Sequence, residues 1–151
     1  DTVNLAARLE SAAKQYGVFT MCSQESLSLA SEDPDYSILS RPIDRIRVMG
    51  KTEPVLTHEL LYFKKEEAPK ELILLAEKFA EGKSAYEATK WDEAIEIFES
   101  CLDLEPHHPD RAGGCKTTPS HVFIERAQAY KDNPPVAPGE KWDGVYTATS
   151  K

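Results

Sequence analysis

Several features are scarce in this sequence. Three cysteines, Cys22, Cys101 and Cys115, are spread over 151 residues. Their odd number and uneven spacing exclude a disulfide framework and point to reduced thiols. No apolar run nears bilayer-spanning length, and the longest, Leu72-Ile73-Leu74-Leu75-Ala76, is flanked by charges. Positive charge is the scarcer sign: 18 Lys and Arg stand against 26 Asp and Glu, a formal net charge of −8. That balance argues against nucleic acid or anionic membrane as the main partner, but it leaves room for a local basic pocket. There is no signal-peptide pattern, no Gly-rich phosphate loop, no Gly-x-Ser-x-Gly and no Cys-x-x-Cys. What remains, 40% hydrophobic and 29% charged, suits a soluble globular chain of one ordinary domain or two small ones. We expect a cytoplasmic segment. Because the chain opens at Asp1 without methionine, we also expect a piece of a longer polypeptide whose membrane anchor, where it has one, lies elsewhere.

The opening reads as a helix over Val3 to Lys14. Asp1 and Thr2 are good capping types, alanine and leucine dominate, and Val3, Ala6, Leu9 and Ala13 form an apolar stripe. Asn4 and Arg8 lie four residues apart, so a helix sets them on one face, one turn apart. An amide beside a guanidinium suits a ligand with hydroxyls and phosphate oxygens; the same pair also reads as a first-turn polar residue and a solvated charge. Gly17 ends the helix, Val18 to Cys22 is β-prone, and Ser23 caps a second short helix running to Leu29 or Ala30. From Tyr36 the pattern turns to strands. Arg45, Ile46, Arg47 and Val48 alternate, with Ile46 and Val48 inward. Gly50 supplies a turn, and Pro54 to Phe63 returns with Leu56, Leu60 and Tyr62 on the face of His58.

Two stretches carry a resemblance. Asp1-Thr2-Val3-Asn4-Leu5-Ala6-Ala7-Arg8-Leu9-Glu10 resembles the signature helix of class III nucleotide cyclases, the adenylate and guanylate cyclase catalytic domain. Arg45-Ile46-Arg47-Val48-Met49-Gly50-Lys51-Thr52-Glu53-Pro54-Val55 resembles that family's closing hairpin, in the right order and at a fitting distance. The resemblance covers residues 1–63. It implies an α+β class: the closing helix-strand-helix-β-hairpin of a ferredoxin-like cyclase domain. It further implies a parent that turns ATP or GTP into the 3′,5′-cyclic nucleotide plus pyrophosphate, as a homodimer with sites at its interface. Two aspartates of one protomer would hold Mg or Mn, and both would lie upstream of Asp1, outside this chain. The other protomer contributes an asparagine and an arginine matching Asn4 and Arg8, which orient the ribose and stabilise phosphate charge in the transition state. A fragment without the metal ligands is expected to be inactive alone. The family's triphosphate lysine is Met49 here, and Lys51, two residues along, is the candidate phosphate contact. Arg45 and Arg47 read as the exposed side of a strand or as further phosphate contacts.

Residues 64–69, Lys-Lys-Glu-Glu-Ala-Pro, are charged and end in proline, and they read as a linker. Beyond them the period becomes helical. Leu72, Leu75, Phe79, Gly82 and Tyr86 are three or four apart, and Trp91, Ala94, Ile95, Phe98, Cys101 and Leu102 repeat the pattern. With Pro106 they resemble a tetratricopeptide repeat, Lys78 replacing its early aromatic. The second helix carries Asp92, Glu93, Glu96, Glu99, Asp103 and Glu105, a face either solvated or fit to dock a basic protein partner. Ser120 is expected to cap a third helix bearing Val122, Phe123, Ile124, Ala127 and Tyr130. The division is thus 1–63 cyclase portion, 64–69 linker, 70–131 helical unit with the third helix as its cap, and 132–151 tail. Trp142 and Tyr146 give the tail enough apolar area to pack back. The helical half resembles extensions that follow the cyclase domain in some bacterial membrane-anchored sensors. His107, His108, Cys115 and His121 match no standard zinc spacing. Set against the enzyme is a second reading, a non-catalytic interaction module on a cyclase-like scaffold; two aspartates upstream of Asp1 would decide for the enzyme.

Overall fold

The Ala- and Leu-rich opening forms α1 (Thr2–Tyr16), stopped by Gly17 at φ +73. There the Val18 amide donates to the Ala13 carbonyl at 3.0 Å, the bond that closes a helix on a left-handed glycine. The expected stripe of α1 holds in its second half, where Leu9 and Ala13 pack on the core, and fails in its first, where Val3 and Ala6 are exposed. Leu5, Leu9, Ala12 and Tyr16, spaced four, three and four, meet the core, whereas Val3 is 76% exposed. Two apolar stripes lie side by side on this helix, and the long, buried Tyr16 anchors the inner one.

The computed structural model describes residues 2–47, 52–106 and 116–146. Among them, α1 is followed by β1 (Met21–Ser23), α2 (Gln24–Ala30), β2 (Leu39–Ile46), β3 (Val55–Tyr62), α3 (Lys70–Glu87), α4 (Trp91–Cys101) and α5 (Pro119–Asp132). The class is α+β, with one antiparallel sheet ordered β1-β3-β2. Ser23 caps α2 as expected, its hydroxyl accepting from the Ser26 amide at 3.1 Å. Val48, Met49, Gly50 and Lys51 lie outside the described residues.

β2 starts well before Arg45 and contains an irregularity that decides which arginine goes where. Pro42 pairs with His58 and Arg45 with Leu56, so Ile43 and Asp44 together oppose the single Thr57, a β-bulge. Thr57 stitches it, its hydroxyl donating to the Asp44 carbonyl at 2.8 Å and accepting from the Asp44 amide at 3.3 Å. Before the bulge Leu39, Arg41 and Ile43 point inward; after it Asp44 and Ile46 do. Pro42, which has no amide to give, is tolerated because β2 is an edge strand.

α3 and α4 are joined by a tight turn in which Thr89 takes φ 62 and the Lys90 amide donates to the Ala85 carbonyl at 2.9 Å. Gly82 has a packing reason: a Cβ there would lie 2.7 Å from the buried Phe98 ring. The expected apolar sets of α3, α4 and α5 all face inward, buried or half-buried. The cap of α5 is Thr118 and not Ser120. Pro119 suits the first helical position, so the Thr118 hydroxyl accepts from the His121 amide at 3.2 Å. Sequence character changes at 64–69, a 3-10 turn over Lys65–Glu67 lying inside that stretch, but packing does not. Tyr16, Val18, Ile43 and Ile46 share one hydrophobic cluster with Phe79, Phe98 and Phe123. The tail packs back as expected, Trp142 lying 5.2–5.7 Å from the rings of Tyr86, Trp91 and Tyr130.

Candidate functional site

On α1 both Asn4 and Arg8 are exposed. Arg8 Nη2 donates to the backbone carbonyl of Arg47 at 3.1 Å, so α1 touches the chain just past the end of β2. Around this contact Arg8, Arg45, Arg47 and Arg126 line a cleft of about 410 Å³ floored by Tyr16 and Asp44. In a chain of net charge −8, this is a local concentration of guanidinium groups.

The cleft has a fixed floor and a loose rim. Asp44, buried, accepts from the Tyr16 hydroxyl, from Arg126 Nη1 at 2.7 Å and from the Arg45 amide at 2.8 Å. Arg126 Nη2 donates to the Tyr16 hydroxyl at 3.0 Å, and its guanidinium lies 3.8 Å from the Tyr146 ring centroid. Burial and the Asp44 carboxylate push the Tyr16 hydroxyl well up. Lys83 Nζ sits 3.9 Å from Asp44 and 4.1 Å from the Phe123 centroid, and burial pushes its pKa down to about 8 against the pull of Asp44. The rim pairs are looser: Arg45 Nε to Glu87 at 3.6 Å, and Arg47 Nη2 to Asp143 at 3.3 Å, with side chains 34–62% exposed. Pairs of that exposure contribute roughly 0–1 kcal/mol.

A second network escaped the sequence reading. Arg41, wholly buried, reaches Glu59 at 2.6 Å and Glu105 at 2.7 Å, and Glu105 also accepts from the Ser120 amide at 3.1 Å. Glu105, grouped by sequence with a solvated acidic face, is therefore corrected: it is 1% exposed and joins the sheet to the helices. The period-two placing of Leu39, Arg41 and Ile43 was the signal that could have revealed Arg41.

Lys51 lies outside the described residues, as do His107, His108 and Cys115. His121 is exposed and pairs with Glu125 at 3.2 Å. Among the described residues no three His, Cys, Asp or Glu side chains are grouped to hold a metal. Cys22 and His58 face each other across β1 and β3, but burial raises the thiol and lowers the imidazole. His58 Nε2 is engaged by Gln24 at 2.5 Å, so the pair is not an activated nucleophile.

Fold and cleft together define an α+β chain with an arginine-lined recess where its first helix meets a β-hairpin. The chain is similar to a terminal-differentiation-specific adenylate cyclase of Dictyostelium discoideum, 25% identical over 126 residues. The match takes in 83% of this chain, well past residue 63, and 6% of that much longer protein. This is a distant relationship to a cyclase. No family model and no solved structure matches the chain.

Proposed function

We propose that the chain is the closing part of a nucleotide cyclase subunit that turns ATP or GTP into the 3′,5′-cyclic nucleotide and pyrophosphate in signal transduction. In this reading Asn4 orients the ribose and Arg8 stabilises charge developing on the phosphates, both offered to a second copy that carries the Mg or Mn ligands. Lys51 is the proposed phosphate contact from the hairpin. The observation that carries the reading is the meeting of the two resembling stretches at the Arg8–Arg47 contact, with Asn4 and Arg8 both exposed beside it. Ala6, Leu9 and Ala13 of the same helix line an open recess with Val18, Met21 and the 58% exposed Phe19, an apolar surface that suits a face covered by a second copy. The helical half is proposed to be a tetratricopeptide-like pair, a reading in keeping with the close approach of Gly82 to Phe98, and its acidic α4 face is the proposed surface for a protein partner.

The test is made in the full-length parent. Arg8→Ala is expected to lower kcat about a hundredfold or more with little change in KM, since an electrostatic donor serving the transition state is worth on the order of 3 kcal/mol. Asn4→Ala acts in the same direction. Near wild-type kcat in both variants would leave α1 a structural helix.

A further inference from the structure

The arginine cleft does not stand alone. Beside it, and sharing Arg47, Val145 and Tyr146 with it, lies a second recess of about 830 Å³ between the end of α5 and the tail. Tyr130, Trp142, Tyr146 and Pro135 give it apolar and aromatic walls, with Lys141 and Arg47 adding positive charge. A volume of this order suits a small molecule and not a single ion, since ligand sites run from about 300 to 1,000 Å³. One recess offers aromatic side chains among polar ones, the other offers guanidinium groups, and the shared residues join them.

We infer that these recesses together bind one nucleoside di- or triphosphate per chain, base against the aromatic walls and phosphates toward Arg45 and Arg47. The rim arginines are held only by partly exposed carboxylates, Glu87 at 3.6 Å and Asp143 at 3.3 Å. A phosphate group with several charged oxygens outcompetes such screened pairs, because it meets the guanidinium fork with charge-assisted hydrogen bonds. Arg126 stays with Asp44 and Tyr16 and serves as floor. Asp143 then acts as a stand-in for the ligand: it sits on Arg47 until phosphate displaces it. The site is built largely from α5 and the tail, within one protomer, and needs neither a second copy nor the cyclisation proposed above.

The experiment is calorimetric titration of the intact chain with ADP in metal-chelating buffer, with adenosine and pyrophosphate as separate arms. Expected is one ADP per chain, bound at least tenfold more tightly than either part. Arg47→Ala and Tyr146→Ala should each weaken ADP at least tenfold with unchanged circular dichroism, and Asp143→Asn should tighten it. No saturable ADP binding overturns the site, and so does either alanine variant keeping affinity within twofold. Pyrophosphate binding as tightly as ADP overturns the nucleotide assignment. Because the assay contains no metal and no partner aspartates, its failure leaves the Arg8 kinetics in the parent untouched, and the converse holds.

Discussion

Arg41 and Arg47 stand six residues apart and live in different worlds. Arg41 is wholly buried between two glutamates, while Arg47 is 62% exposed and holds one aspartate at 3.3 Å. Strict alternation from Arg41 would place residues 43, 45 and 47 on the same inward face. The bulge at Ile43 and Asp44 prevents this by adding one residue, which turns Arg45 and Arg47 outward and Asp44 inward. One extra residue thus divides β2 into a segment that anchors the helical half and a segment that lines a cleft. Residue type says little here; register decides.

The largest expected effect tests the anchoring end. Arg41→Met leaves Glu59 and Glu105 facing each other in the interior, and removing one partner of a buried pair costs about 3–5 kcal/mol. Urea unfolding followed by circular dichroism should show it as a large fall in midpoint. A loss below about 1 kcal/mol would mean that Arg41 behaves energetically like its exposed neighbours. The comparison would then collapse.

Lys83 is the intermediate case, a buried cation with one carboxylate 3.9 Å away. Asp44 and Glu87 pull its pKa up, Arg126 and Arg45 push it down, and burial outweighs all of them, taking it from 10.5 to about 8. Between these values the unfolded chain holds more protons than the folded one, so this group makes stability rise with pH; below about 8 its slope vanishes. Cys101, raised by burial from 9.0 to about 11, works in the opposite sense above pH 9. The clean window is therefore pH 8 to 9. There the wild type should gain up to about 1 kcal/mol relative to Lys83→Met. Parallel stability curves for the two proteins would mean that Lys83 is no more constrained than a surface lysine.

The smallest effect belongs to the cleft end. Arg45→Ala and Arg47→Ala should each change stability by no more than about 0.5 kcal/mol, as expected for screened surface pairs. A loss above about 2 kcal/mol in either would show the rim to be structural.

What was legible in the sequence follows the same division. Local signals read well: the apolar sets of α3 to α5, the Ser23 cap and the stop at Gly17 depend on residues within a turn or two. The α1 stripe was misjudged at Val3 and Ala6, though not at Leu9 and Ala13, because two adjoining stripes are apolar and only the tertiary fold chooses between them. The cap at Thr118 was missed by two positions because Pro119 claims the first helical slot. The Arg41 network was illegible because its partners lie 18 and 64 residues away, and single charges default to solvent when read alone. In the site, the placing of Asn4 and Arg8 on one exposed helix face could be read from their spacing. The floor of Tyr16, Asp44 and Arg126 could not, since α5 reaches it from 82 and 110 residues away.

Gly17 has a consequence beyond stopping a helix. A Cβ at this position would lie 2.0 Å from the carbonyl oxygen of Thr117, immediately before the α5 cap. The tip of α1 is thereby seated directly on the entrance to α5, a hundred residues downstream. The bearing of the first helix, and so the direction in which Asn4 and Arg8 are aimed, is indexed to the helical half as well as to the sheet. A side chain at 17 is therefore expected to re-aim that helix and to carry Arg8 and Tyr16 of the cleft with it.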